Sequence, residues 1–432
     1  MTQLAQLEQR LAGEQRLLVA FSGGLDSTVL LHQLVLLRQQ QPERRLRAIH
    51  IHHGLSPWAD SWAQHCRAIC EAWQVELEVV AIVVDGRDSG IEGAAREGRY
   101  QAFRRHLRTG EALVTAQHLD DQCETLLLAL KRGSGPAGLA AMPVSLLLGE
   151  HCLLRPLLTC ARAELESWAQ RYQLRWIEDE SNQDVRYDRN FLRQQILPAL
   201  NARWPHFAAA VARSAALCGE QEQLLDELLA ESLASRIAPD GALCIEGFAA
   251  MSEARRAALL RRWIASCGGK MPSRDAIQRL WLEVIAARED AAPRLQLGNH
   301  EIRRYRQALY WLPLRPSVRT LVLPWPDPAT PLSLPHDLGS LHLAQSGTEV
   351  RPPRPDETVT VRFQAQGRFA IEGRGGHRPI KKLWQECDVP PWRRESTPLI
   401  FYNETLIAAL DTFVCREGSS VAGNVWRIAW HR

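Results

Sequence analysis

Lysine is scarce in this 432-residue chain: only Lys131, Lys270, Lys381 and Lys382 occur among 52 basic residues, leaving 48 arginines. Arginine's planar fork suits phosphate and stacked bases better than a point charge does. A GC-rich genome gives the same bias, so the ratio alone chooses nothing. No apolar run approaches the roughly 20 residues of a membrane span. The first 25 residues carry no basic flank and apolar block of a secretory signal. No membrane association and a cytoplasmic location are therefore expected. None of the ten cysteines makes a CxxC pair. The closest two, Cys66 and Cys70, have helical i,i+4 spacing and no second pair to complete a zinc site. A disulfide-stapled scaffold is excluded. The pattern GxxxxGK followed by Ser or Thr is absent too, which excludes a kinase-type P-loop. With 46% hydrophobic and 23% charged residues, the chain has core enough to fold without staples, and its length suits two to four domains of roughly 100–200 residues.

A net charge of +3 hides a polarity: residues 214–250 carry one Arg against seven acids, and residues 251–320 carry fourteen basic residues against six. Short apolar runs at 17–21, 46–51, 76–84 and 112–116 alternate with helical patterns, the first running from just after Asp26-Ser27-Thr28 to about 40 and the others at about 58–74, 91–108 and 120–131. That alternation predicts an α/β fold with a parallel sheet and helices on both faces. Residues 133–150, rich in Gly, predict an irregular loop, and helical patterns resume from 162 to 235. The expected domains are 1–215, a mainly helical basic domain 216–312, and an α+β domain 338–432. Seven prolines between 313 and 337 predict a semi-rigid linker.

The strongest chemical signal is Ser22-Gly23-Gly24-Leu25-Asp26-Ser27, between a strand and a helix. Backbone N–H groups at such a turn converge on an anion, and the helix start adds partial positive charge. Ser22 and Ser27 can donate hydroxyls, and Asp26 can hold a Mg²⁺ that bridges phosphates. Gly133 to Gly138 also matches GxGxxG, but it follows a helix and has Pro136 where a helix should open, so a dinucleotide site is not expected. His118-Leu-Asp120-Asp121-Gln-Cys-Glu124-Thr125 runs from a strand end into a helix, facing the crevice of the glycine turn. Asp120 and Asp121 equally suit a helix N-terminus. Arg96 and Arg99 lie three apart on a helix, and Lys131 and Arg132 open the glycine-rich loop. Further on come Arg155-Pro-Leu-Leu and Arg189, Asn190 and Arg193. Basic side chains gather again at Arg255, Arg256, Arg261 and Arg262 beside Trp263. A last group holds Arg374, His377, Arg378, Lys381, Lys382, Arg393 and Arg394 with Trp384 and Trp392. Such patches fit phosphate contacts to RNA.

The six-residue string resembles the signature of the PP-loop (N-type) ATP pyrophosphatases, and the ordered later motifs resemble the tRNA(Ile)-lysidine synthase family within that group. The likeness covers about residues 16–200 and returns at about 348–415. It implies a ligase that uses ATP and Mg²⁺ to adenylylate the wobble cytidine of a CAU-anticodon isoleucine tRNA and joins free L-lysine to it, releasing AMP and pyrophosphate. The modified tRNA would read AUA in place of AUG and accept isoleucine in place of methionine. The resemblance implies that Ser22 to Ser27 bind the ATP phosphates, Asp26 the metal, and that Arg96, His118, Asp121, Glu124, Arg189 and Arg193 line the site with Asp26. Lys131, Arg132, Arg255, Arg262, Arg378, Lys381, Lys382, Arg393 and Arg394 would contact tRNA. Asp120, Asp121 and Glu124 are candidates for holding the lysine ammonium and accepting its proton, without apportionment. A homodimer is compatible with the sequence. Where many relatives have Asp-His-Gly-Leu-Arg, this chain has His52-His53-Gly54-Leu55-Ser56. A PP-loop tRNA thiolase is the rival enzyme, disfavoured by the missing CxxC. A non-catalytic RNA-binding protein is the rival class, disfavoured by the intact glycine turn.

Overall fold

The computed structural model describes residues 3–11, 13–54, 56–83, 90–288, 291–420 and 425–432, without the side chains of 90–92. Leu55, and position 84 of the expected third strand, lie outside the described residues. The chain divides into two compact units, Met1–Leu228 and Leu229–Arg432.

In the first unit, the chain runs through α1 (Gln3–Arg10), β1 (Arg16–Ala20), α2 (Leu25–Gln40), β2 (Arg45–His52), α3 (Ala59–Ala72), β3 (Glu76–Ala81) and α4 (Gly90–His106). It continues through β4 (Ala112–Val114), α5 (Leu119–Lys131), α6 (Pro136–Leu139), β5 (Ser145–Leu148), β6 (His151–Leu154) and α7 (Arg162–Arg171). Leu17 and Val19 of β1 enter one apolar cluster with α2, while Leu18 joins Ile49, Leu113 and Leu153 in another. Period-two alternation thus buries both faces of the sheet, as the apolar strand runs required. Strand order is β3-β2-β1-β4-β6-β5, parallel except for β5. The connections leave β1 in opposite directions, so a crevice opens at the carboxyl ends of β1 and β4.

The expected loop at 133–150 holds α6 and β5 instead. One helical turn and a four-residue edge strand are too short to show periodicity. Gln122 ties the segment back to α5 by exchanging two 2.8 Å hydrogen bonds with the Met142 backbone. The unit ends with α8 (Asp188–Phe191), a π-helical turn Leu192–Ile196, α9 (Leu197–Arg203) and α10 (Phe207–Ala234). The division between units falls within α10, thirteen residues beyond the boundary expected at 215/216.

The second unit opens with β7 (Leu243–Cys244), α11 (Glu253–Ser266), α12 (Arg274–Arg279), β8 (Arg294–Leu297), β9 (His300–Tyr305) and β10 (Ala308–Pro313). A four-stranded sheet, β7-β10-β9-β8, packs on the helices around Trp263, Leu280 and Leu309. The remainder is mostly strand: β11 (Val322–Pro324), β12 (Leu332–Ser333), β13 (Ser340–Val350), β14 (Val359–Arg362), β15 (Arg368–Phe369), β16 (Arg378–Pro379), β17 (Leu399–Tyr402), β18 (Thr405–Ala409), β19 (Phe413–Val414) and β20 (Trp426–His431). Two short helices, α13 (Ile380–Glu386) and α14 (Pro391–Arg394), interrupt it. Residues 313–337 run through two short strands and several turns, with His336 and Asp337 at positive φ, and they are no free linker. Val318, Trp325 and Leu334 are buried in the same core as Val361 and Ile400, and β11 and β12 are sheet-edge strands, where proline is tolerated.

Candidate active site

The turn after β1 is shaped by one glycine above the others. Gly23 has φ +85°, and a Cβ there would lie 2.7 Å from Ile177 Cδ1 and 2.9 Å from Cys66 Sγ. Gly24 differs: it is the extended N-cap of α2, and its nearest neighbour would be Ser22 Oγ at 3.5 Å. Ser22 and Ser27 hydroxyls meet at 3.0 Å, Ser27 Oγ donates to Gly24 O, and Ile177 N donates to Gly23 O at 2.9 Å. Gly24 N itself donates to Ser22 Oγ at 3.3 Å, so the α2 N-terminus starts beside a hydrogen-bonded turn of the kind that receives an anion.

Beside it, α5 begins with His118 as N-cap. Asp120 N donates to His118 Nδ1 at 3.3 Å, and His118 N donates to Asp121 Oδ2 at 3.0 Å, a reciprocal capping box. The capping residues also adjoin the glycine turn. His118 Nε2 lies 3.6 Å from Asp26 Oδ2 and 3.4 Å from Asp121 Oδ2. Beyond them, Arg193 grips Glu124 through Nε at 2.7 Å and Nη2 at 3.0 Å, and Asp121 at 2.8 Å. Arg189 Nη1 adds a longer contact to Glu124 at 3.6 Å and Nη2 donates to Thr125. Arg193 sits in the π-helical turn, a local widening that often accompanies functional side chains. Asn190 Nδ2 donates to the Ser181 and Asp184 carbonyls and so fixes the approach of this turn.

Electrostatics follows from burial and these partners. Burial pushes the Asp26 carboxyl up, but His118, Arg162 and Arg193 outweigh it and hold it below the usual value. Burial pulls His118 down, and Asp26, Asp121 and Asp120 more than reverse that. Glu124 is fully buried, and burial raises its carboxyl despite Arg193. At the end of β2, burial and the Arg99 charge drop the His53 imidazole to about 4, and His50 is also lowered by burial.

Asp26 Oδ1 is buried and has no hydrogen-bond partner among the described residues. No group of three His, Cys, Asp or Glu side chains able to hold a metal occurs among them either. A lone orphaned carboxylate oxygen fits Mg²⁺, which takes one or two protein carboxylates and completes its shell with phosphate and water.

The structure thus brings together Ser22 to Ser27, His118, Asp121, Glu124, Arg189 and Arg193. Arg96 has its described contact on its own helix, where its guanidinium lies over the Tyr100 ring, 5.1 Å from its centroid. Lys131 pairs with Asp188 at 2.6 Å on an exposed face, next to the exposed Arg132. In the second unit Arg255 is exposed, while Arg262 Nη1 donates to Ala258 O at 3.4 Å within α11. Trp263 and Trp384 belong to the core; arginine stacks instead on other tryptophans, Arg256 over Trp281 at 3.8 Å and Arg432 over Trp430 at 3.9 Å. Lys381, Lys382 and Arg393 are exposed, whereas Arg378 pairs with Glu386 and Arg394 Nε donates to Val389 O. Motif reading missed Arg162, whose Nη1 is 3.9 Å from Asp26 Oδ2. Its only sequence signal was a basic residue opening the helix after β6.

The chain matches a family model described as the PP-loop domain over residues 1–200, one described as the TilS substrate binding domain over 243–310, and one described as the TilS substrate C-terminal domain over 359–430. It is 60% identical to a tRNA(Ile)-lysidine synthase of Pectobacterium atrosepticum, covering 98% of this chain and 96% of that one. It is 57% identical to the Serratia proteamaculans protein of the same name, over 99% and 98% of the two chains. Against the Salmonella typhi one the figures are 56%, 98% and 99%.

Proposed function

The chain belongs to the tRNA(Ile)-lysidine synthase family, and from that membership we infer how its site performs the family's reaction. It is an ATP-dependent ligase that forms lysidine at the wobble cytidine of a CAU-anticodon isoleucine tRNA. The cytosine carbonyl oxygen is a poor leaving group. It attacks the α-phosphorus of ATP, pyrophosphate departs, and the oxygen becomes part of a good leaving group. The neutral ε-amine of lysine then attacks the ring carbon, AMP leaves with that oxygen, and one proton is lost from nitrogen.

The observation that carries the assignment of residues is the juxtaposition of the Gly23–Gly24 turn, the α2 N-terminus, Asp26 and His118 at the strand ends. Amides of the turn and the hydroxyls of Ser22 and Ser27 would bind the phosphates. Asp26 would hold Mg²⁺, which shields phosphate charge when bound. Arg193 would orient Asp121 and Glu124 together. Asp120, half-buried at the start of α5, is the carboxylate left to take a proton or an ammonium. The tRNA backbone would meet the exposed Arg255, Lys381, Lys382 and Arg393. All ten cysteines are free, as a reducing cytoplasm keeps them, and no described helix is long and apolar enough to cross a membrane.

Pyrophosphate release from ATP, with tRNA and each amino acid offered in turn, tests this reading. Lysine alone should complete the reaction, and Asp26→Asn should slow it at least about 100-fold with unchanged circular dichroism. Equal turnover with arginine or sulfide, or a near wild-type Asp26→Asn, would remove it.

A further inference from the structure

Three guanidinium groups reach the carboxylates around His118, and they differ in freedom. Arg193 and Arg189 serve Glu124, which is fully buried. Turning either toward a phosphate would leave a buried carboxylate with fewer partners. Arg162 is held otherwise. It opens α7, at the end of the loop that leaves β6, on the sheet side adjoining β4. Its Nη1 is 3.9 Å from Asp26 Oδ2, beyond hydrogen-bond length, and Nε donates to Glu166 at 3.0 Å, one turn along the helix. Its side chain keeps 36% of its surface exposed, and Glu166 is an exposed partner that water can replace.

We propose that Arg162 is a further phosphate-binding residue, whose guanidinium takes the β,γ end of ATP and then the departing pyrophosphate. The inference rests on the ligase reading above and names a task that reading left without a cation. Cleavage builds charge on the bridging oxygen between the α and β phosphorus atoms, and that oxygen leaves with pyrophosphate. Turn amides and Asp26 alone supply no positive side chain at that end. Arg162 is the described arginine that adjoins Asp26 without being committed to a buried anion. A planar fork at this place would hold two phosphate oxygens side by side. Its loose contact with Asp26 suits a group that trades a carboxylate for a phosphate.

The test uses full-length enzyme with Arg162→Gln and Arg162→Lys, each checked for a cooperative thermal melt. Inhibition constants for inorganic pyrophosphate and for AMP are measured, with KM for ATP and for lysine. Arg162→Gln should weaken pyrophosphate inhibition and raise the ATP KM at least tenfold, leaving AMP inhibition and the lysine KM within twofold. Arg162→Lys should recover part of the loss. Pyrophosphate inhibition within twofold of wild type overturns the proposal, as does a parallel loss for AMP and lysine, which a merely structural role would produce. A melt lost in Arg162→Gln but kept in Arg162→Lys with wild-type pyrophosphate inhibition overturns it as well. Wild-type enzyme that makes no lysidine would instead overturn the ligase reading, whatever the variants do.

Discussion

Gly23 and Gly24 are adjacent and identical in sequence, yet they answer to different constraints. A side chain at Gly23 meets Ile177 and Cys66 and must also adopt a left-handed backbone. Gly23→Ala should cost about 2–4 kcal/mol, read as a lowered urea midpoint. Gly24→Ala has room within the protein, its Cβ meeting only Ser22 Oγ at 3.5 Å and Ile177 O at 3.8 Å, and should cost under about 1 kcal/mol, while weakening ATP binding if the turn takes the phosphates as proposed. Equal stability losses in the two variants would contradict the distinction. Acid titration offers a second residue-scale check. His53 is held neutral, with a folded value near 4 against an ordinary 6.5. Its contribution is complete above 6.5 and is lost as pH falls toward 4, because the unfolded chain takes the proton first. His53→Gln should therefore flatten the stability loss between pH 6.5 and 4 by about 1–3 kcal/mol, measured by urea unfolding across that range. The phosphate turn was legible because six consecutive residues carry it. Arg162 was not, since a lone arginine at a helix start has no local pattern to betray it.

At the scale of elements, α5 serves as both scaffold and site. Its first turn is closed by His118 and Asp121, and its second presents Glu124 to Arg193. Glu124→Gln removes a buried charge from a bidentate pair and should destabilise the protein by about 3–5 kcal/mol. Coupling it with Arg193→Met should recover only part of that, since Asp121, which Arg193 also holds at 2.8 Å, then loses that partner. Additive losses in a double-mutant cycle by calorimetry would show that the two side chains act separately. The strands and helices around this site were readable from periodicity because each is long enough to repeat an apolar pattern. The stretches 133–150 and 313–337 were misread for the opposite reason. Their ordered pieces span two to four residues, and three buried side chains, Val318, Trp325 and Leu334, hold a proline-rich segment that composition alone describes as free.

Across the whole molecule, the packing of 313–337 decides how RNA binding can be tested. Tyr305 donates to Asp388 at 2.7 Å, and Tyr310 packs on Trp392 with ring centroids 4.9 Å apart. Cutting the chain after residue 312 would strip these partners away and confuse lost binding with lost folding. Replacing the exposed Lys381 and Lys382 with Ala avoids that. Affinity for cognate and non-cognate tRNA should fall alike, and the slope of log affinity on log salt should flatten by about 1–2. Filter binding at several salt concentrations reads both. A loss confined to cognate tRNA would mean base reading, and an unchanged slope would take this pair out of the interface. The basic clusters were visible in sequence, but their division of labour was not, since ion pairs and carbonyl contacts already engage Arg378, Arg394 and Arg262.

The helix cap on α5 also settles which way a proton can travel. His118 Nδ1 receives the Asp120 N–H, so the single hydrogen of a neutral ring must reside on Nε2, the nitrogen turned toward Asp26 and Asp121. In that tautomer the imidazole can only give. It can donate to a phosphate or carboxylate oxygen, yet it has no lone pair facing the crevice with which to deprotonate an incoming ammonium. A second proton, which the flanking carboxylates favour, would land on Nδ1 in competition with the backbone N–H that starts the helix, and the doubly protonated ring is again a donor only. The lysine proton is thus steered to a carboxylate or to water, by a hydrogen bond whose evident task is to begin a helix.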